Sequence, residues 1–217
     1  YVQSAVGSTR TRLFAKQPKQ QQPQNEFELQ ELRAQFKAMV NQKVRPKMLT
    51  PEKKEELETY LSNVLRNRPS PTPLRQLGDD NASAIHGNWT LAFASENAAL
   101  GELPRDATVQ LSFFPDYKCD YKLSFSKTLG LKSLTAISTY IVDSSPLNPG
   151  LVTIVYQRIV TDVFGFKALP VGLFGMIQGR ATYLETVWFD GRLWVERGYS
   201  PSGDEFYNVY IKSDELD

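Results

Sequence analysis

Cysteine and histidine are nearly missing from this chain of 217 residues, which holds one of each, Cys119 and His86. A lone thiol excludes an internal disulfide framework and a cysteine-cluster metal site, and a reducing compartment suits it. A lone imidazole excludes histidine-rich metal centres and any arrangement that needs a second histidine. His86 reads as a partly solvated residue at the start of a strand, and Cys119 as a side chain packed at another strand start. Net charge is almost absent as well: 25 basic against 24 acidic side chains create no field that draws nucleic acid or an anionic surface. No apolar run approaches the roughly 20 residues that a membrane-spanning helix needs. The glycines at Gly165, Gly172, Gly175 and Gly179 lack the spacing and the following helix that cradle a phosphate. Acids lie scattered at strand ends, so no acid–base pair can be nominated. The chain reads as non-enzymatic, with no cofactor, no metal and no nucleic-acid partner.

What is present is enough apolar residue, 41%, to bury a core without covalent staples. Three segments follow from composition and period. Residues 1–25 carry Arg10, Arg12, Lys16 and Lys19 and no acid, which suits an organelle transit peptide or its remnant, and equally a disordered polar tail. In residues 26–80, Leu29, Leu32, Phe36, Met39 and Val40 recur at helical spacing. Thr50-Pro51-Glu52 then supplies an N-cap, a proline at the first helical position and an acid at the positive dipole end. A second apolar face runs through Leu57, Tyr60, Leu61, Val64 and Leu65, and the alternating prolines Pro69, Pro71 and Pro73 force an extended connector.

From residue 81 to 217 the period becomes two. Eight strands are expected, near 88–95, 107–115, 119–126, 132–142, 151–162, 180–189, 192–198 and 205–211, joined mostly by short turns. That pattern predicts a mainly β fold, an antiparallel meander closed into a barrel of about eight strands behind an N-terminal helical leader. Phe93, Phe113, Phe125, Tyr140, Tyr156 and Trp188 are the candidate pocket aromatics, each a core residue in the plainer reading. Leu173, Phe174 and Met176, set among glycines, are expected in a loop that either folds into the core or covers the barrel mouth and touches a membrane. Gly87 and Trp89 open the first strand, and the late Arg197 is expected to close the barrel by lying over Trp89.

The order of motifs resembles a known family. A proline-rich step leads into Gly87-Asn88-Trp89-Thr90-Leu91-Ala92-Phe93-Ala94-Ser95, and the chain ends on Leu193-Trp194-Val195-Glu196-Arg197-Gly198 before a last strand. This is similar to the plastid lipid-associated proteins, or fibrillins, over about residues 50–212. Phe93 and Ala94 stand where that family has Tyr and Thr, and Trp194 where it has Arg. The resemblance implies a lipocalin-like barrel, a plastid location at thylakoids or plastoglobules, and binding of a lipid, prenylquinone or carotenoid rather than its turnover. The expected function is thus to hold or shield an apolar small molecule at a plastid membrane. The alternative is an accessory subunit of a thylakoid complex with a filled barrel, docked through the Phe36/Met39/Val40 stripe and the adjoining Lys43, Arg45 and Lys47.

Overall fold

Alternation of apolar side chains along short segments produces strands here, and the strands find their partners in sequence order. The computed structural model describes residues 22–42, 44, 48–67, 69–78, 84–95, 103–104, 106–127, 130–171, 178–199 and 202–215. Among them are two helices, α1 (Gln22–Asn41) and α2 (Pro51–Asn67). Nine strands follow: β1 (Gly87–Ala94), β2 (Ala107–Phe114), β3 (Lys118–Phe125), β4 (Leu131–Val142), β5 (Leu151–Val163), β6 (Phe166–Pro170), β7 (Ala181–Phe189), β8 (Leu193–Tyr199) and β9 (Glu205–Lys212). The eight expected strands all form, each within one residue of its expected ends, and β6 is the addition. Most of residues 1–25, Lys43, Arg45, Lys47 and the loop residues Leu173, Phe174 and Met176 lie outside the described residues.

All pairings are antiparallel, β4 joins β5, and β9 returns to β1, so eight strands make a ring with β6 as a short appendage to β5. The sequence expectation of a lipocalin-like antiparallel barrel is met. The ring is not evenly closed. Strand β7 bonds β5 over residues 181–185 and β8 over residues 185–189, so among the described residues its first half has no partner on the β8 side. Strand β8 meanwhile pairs with β9 along its whole length. Above the rung Glu185–Arg197 the wall therefore forks.

Two apolar cores share this wall. Inside lie Trp89, Leu111, Phe113, Tyr140, Ile154, Phe189, Trp194 and Tyr210. Outside, Leu32, Phe36 and Met39 of α1 and Leu57, Leu61 and Val64 of α2 pack with Phe93, Trp188, Val195, Val209 and Ile211. Thr50 caps α2 as its sequence predicts, its hydroxyl accepting from the Lys53 amide at 3.3 Å. The Arg33 guanidinium pairs with Asp190, latching α1 to the β7–β8 turn. The helical stripe that could have docked a partner is spent on the barrel: Leu32 and Phe36 are fully buried there.

Two β-bulges decide which aromatics point inward, and both correct the sequence reading. Trp89 and Leu91 face the interior, so strict alternation would send Phe93 after them. A register shift between Leu91 and Phe93 instead turns Phe93 out against Phe36, ring centroids 5.9 Å apart, and puts Ala94 inside. Likewise Leu184 is inside, the register shifts between Thr186 and Trp188, and Trp188 lands under the helices while Phe189 enters the barrel. Phe93 and Trp188 are outer-core residues, not pocket residues.

Candidate functional site in the barrel interior

One end of the barrel is solid. Trp89 packs on Phe189 at 5.3 Å and on Trp194 at 5.8 Å, and Phe113 meets Tyr140 at 4.9 Å and Trp194 at 5.6 Å. Leu77, from the turn that follows the proline-rich connector, and Ile85 join this cluster fully buried. Ser70 pins the connector to β7 by donating to the Phe189 carbonyl at 2.7 Å and accepting from its amide at 3.0 Å. The Trp89 indole N–H donates to the Ile85 carbonyl at 2.8 Å, which satisfies its polar atom within the plug. His86 shares a 3.0 Å hydrogen bond with the Tyr140 hydroxyl at the same end.

Closure at Trp89 is built differently from the expectation. Register pairs Trp89 with Lys212, and the Lys212 ammonium sits 5.7 Å from the indole ring. Gly87 makes room for it: at φ of 119° only glycine is at ease, and a Cβ there would stand 3.0 Å from Lys212 Cε. Arg197 cannot reach Trp89, because it lies three residues from the inward Trp194 and so faces out. It chelates Glu185 instead, at 2.6 and 3.2 Å, and approaches Glu205 at 3.5 Å. The expected Arg197–Trp89 closure is thus absent, and the arginine is an ion-pair clasp over the last β7–β8 rung.

The other end of the interior is partly open to solvent. Tyr121 and Leu123 on β3, Tyr156 on β5 and Phe206 on β9 pack on the inner cluster yet stay partly exposed. Alternation carries Phe125 inward beyond Leu123, and it too is only partly buried. Of the candidate aromatics, Phe113 and Tyr140 thus belong to the plug, while Phe125 and Tyr156 line the open half. Gly198 faces Phe206 across the β8–β9 pair, and a Cβ on it would sit 2.3 Å from the Phe206 ring. A cavity of about 660 Å³ lies on the outer wall beside the fork, between Leu147, Tyr183, Arg197 and Tyr199.

Where plug and open half meet, three polar residues stand in one row. Register sets Thr186 of β7, Glu196 of β8 and Asn208 of β9 side by side. Glu196 is 5% exposed and Asn208 3%. The Tyr210 hydroxyl donates to Glu196 Oε2 at 3.1 Å, Asn208 bonds the same carboxyl, and Trp194 donates to Thr186 at 3.1 Å. Burial pushes the Glu196 carboxyl up to about 7, against the lowering effect of those two hydrogen bonds. Burial also raises the phenols of Tyr210 and Tyr121, both within electrostatic reach of Glu196. Among the described residues, Asn208 Oδ1 has no hydrogen-bond partner.

No family model, curated protein or solved structure matches this chain. The resemblance to the plastid lipid-associated proteins therefore rests on the motifs alone. Among the described residues no helix is long and apolar enough to cross a membrane, and no group of acids, Cys and His could hold a metal ion. Cys119 is buried and its thiol is pushed up to about 12, chiefly by desolvation, which leaves it unreactive.

Sequence reading missed Glu196, Asn208 and Tyr121. A signal for Glu196 exists: it sits two residues after Trp194 on a strand whose other face is Leu193 and Val195. A strand apolar on both faces is buried on both, so its acid must be inside.

Proposed function

We propose that this protein is a non-enzymatic container whose half-open barrel holds an apolar small molecule at a plastid membrane surface. One observation carries the reading: the inward faces of Tyr121, Leu123, Tyr156 and Phe206 are apolar or aromatic and remain partly exposed above a solid aromatic plug. Natural interiors are packed to crystal-like density, so inward apolar surface left uncovered is a site for a guest. Each Å² of it that a ligand removes from water contributes roughly 25 cal/mol. The fork between β7 and β8 offers a side entrance. The acid-free basic segment at residues 1–25 and the fibrillin-like motif order favour the plastid, and a lipid or other long-chain apolar molecule fits such a chamber.

Uptake of diphenylhexatriene, which fluoresces only in apolar surroundings, tests this. The intact chain should bind the dye saturably. Ala136, the register partner of both Tyr121 and Ile159, lies on the chamber wall. An Ala136→Trp variant should fill the chamber and reduce binding at least tenfold while keeping its thermal transition. Equal uptake by both proteins, or none by the parent, would reject the container.

A further inference from the structure

We propose that the ligand ends in a neutral hydroxyl group, an alcohol or phenol on an apolar body, and that this hydroxyl is seated on Asn208 and Glu196. The inference rests on the container reading and adds the chemistry of the head group.

Asn208 is buried, its amide nitrogen side is engaged by Glu196, and its Oδ1 accepts nothing. An acceptor taken out of water without a donor is costly, and nearly all such groups in folded proteins are satisfied. A guest that supplies an O–H at this point removes the cost. The second requirement is charge. Among the described residues this row and its register neighbours include no Lys or Arg: Arg197 points out to Glu185, Lys212 lies at the plug, and Arg180, opposite Tyr156, is exposed six residues before Thr186 at the start of β7. A carboxylate or phosphate head would meet Glu196 with no counter-ion. A quinone or ester carbonyl brings acceptors only and leaves Asn208 Oδ1 unpaired. A hydroxyl both donates to Asn208 and accepts from a neighbouring phenol, and Tyr121 stands within electrostatic reach of Glu196 to provide one.

The position of the row fits this chemistry. Thr186, Glu196 and Asn208 lie on three adjacent strands at the floor of the open half, directly above the Trp194 ring. An extended guest would place its head at this floor and its apolar body against Leu123, Tyr156 and Phe206.

The test displaces bound diphenylhexatriene from the intact chain with four matched probes: hexadecanol, hexadecyl methyl ether, palmitate and hexadecylamine. Hexadecanol should compete about tenfold better than the ether, the gain expected from satisfying one buried acceptor, and palmitate should be weaker than either. Asn208→Leu should bind hexadecanol and the ether alike. The parent comparison needs no variant, so a misfolded Asn208→Leu leaves the inference decidable, and Asn208→Thr gives a smaller second substitution. Equal affinity of alcohol and ether in the parent, as when Asn208 keeps a water that no guest displaces, overturns the hydroxyl assignment and leaves the container standing. So does a preference for palmitate or for the amine. Failure of the dye itself to bind removes the container, and the hydroxyl site with it.

Discussion

At the scale of single residues, Glu196 is the side chain whose chemistry departs most from its sequence appearance. Facing it from the packed strands are Tyr210 and Asn208 of β9, Thr186 of β7 and Tyr121 of β3, none of them cationic. Its carboxyl, ordinarily near 4.5, is held at about 7 because burial penalises the anion. The folded chain thus keeps a proton that the unfolded chain releases near pH 4.5. Below that pH both states are protonated and Glu196 costs nothing. From about pH 4.5 to 7 the unfolded state loses the proton first, so stability falls as pH rises, and above 7 the full cost is present. The gap between the two values corresponds to about 3 kcal/mol at most. Glu196→Gln keeps the volume and an acceptor for Tyr210 but cannot ionise. Urea unfolding at pH 5, 6, 7 and 8 should show the variant gaining on the parent progressively, to a few kcal/mol at pH 8. Parallel pH profiles for the two proteins would show that Glu196 is not buried as an acid.

At the scale of elements, alternation along each strand was readable, and with it the meander, because an apolar side chain every second residue has few other uses. The caps and the proline step of the helical leader were equally plain, since Thr50, Pro51 and Pro69 act locally. The bulges were not. A bulge adds one residue to a ladder without changing the composition around it, so Phe93 and Trp188 look identical to inward residues until the register is known. The interior site was hidden for the same reason: Glu196 and Asn208 are 12 residues apart and become neighbours only through the β8–β9 register. The short strand β6 also escaped notice, and its hairpin supports the membrane part of the proposed function. Phe164 is 74% exposed and Phe166 64%, with Leu169 beside them on the same hairpin. Exposed Lys127, Lys132 and Lys167 belong to the neighbouring strand ends and to β6. Aromatics that enter a bilayer interface and lysines that meet its anionic head groups make an adhesive tip. Flotation on vesicles containing anionic lipid should carry the parent chain upward. Replacing Phe164 and Phe166 together by Asp should leave it in the bottom fraction with its melting temperature little changed, because both side chains are already in water. Unaltered flotation would remove this hairpin from the membrane contact.

At the scale of the whole molecule, the barrel is a ring whose pairing stops short in two places, between β1 and β2 beyond Thr90–Gln110 and between β7 and β8, and the second seam sits beside the proposed site. Five of the eight pairings in the ring run without a register shift, and the helices reinforce the β1–β9–β8 side from outside. The β7–β8 pairing stops at Glu185–Arg197, where Arg197 ties Glu185 on β7 to Glu205 on β9. Beyond that clasp, the backbone groups of Ala181–Leu184 that face away from β5 have no ladder to join. Unpaired strand edges open at low energy, and such regions are where ligands gain entry to otherwise packed folds. Both charges of the clasp are about a third exposed, so the pair contributes only about 0.5–1 kcal/mol, enough to bias the seam and too little to lock it. Hydrogen exchange should therefore rank the wall. Alternate amides of residues 181–184, and the amides of Gly198 and Tyr199 that face away from β9, should exchange fastest, while the β3–β4 and β4–β5 ladders are the slowest. In Arg197→Ala the fast region should extend toward Phe189, and the association rate of diphenylhexatriene should rise with little change in its final fluorescence. Uniform protection around the ring, or an association rate indifferent to Arg197, would mean that guests enter elsewhere and that the fork is only a flaw in the sheet.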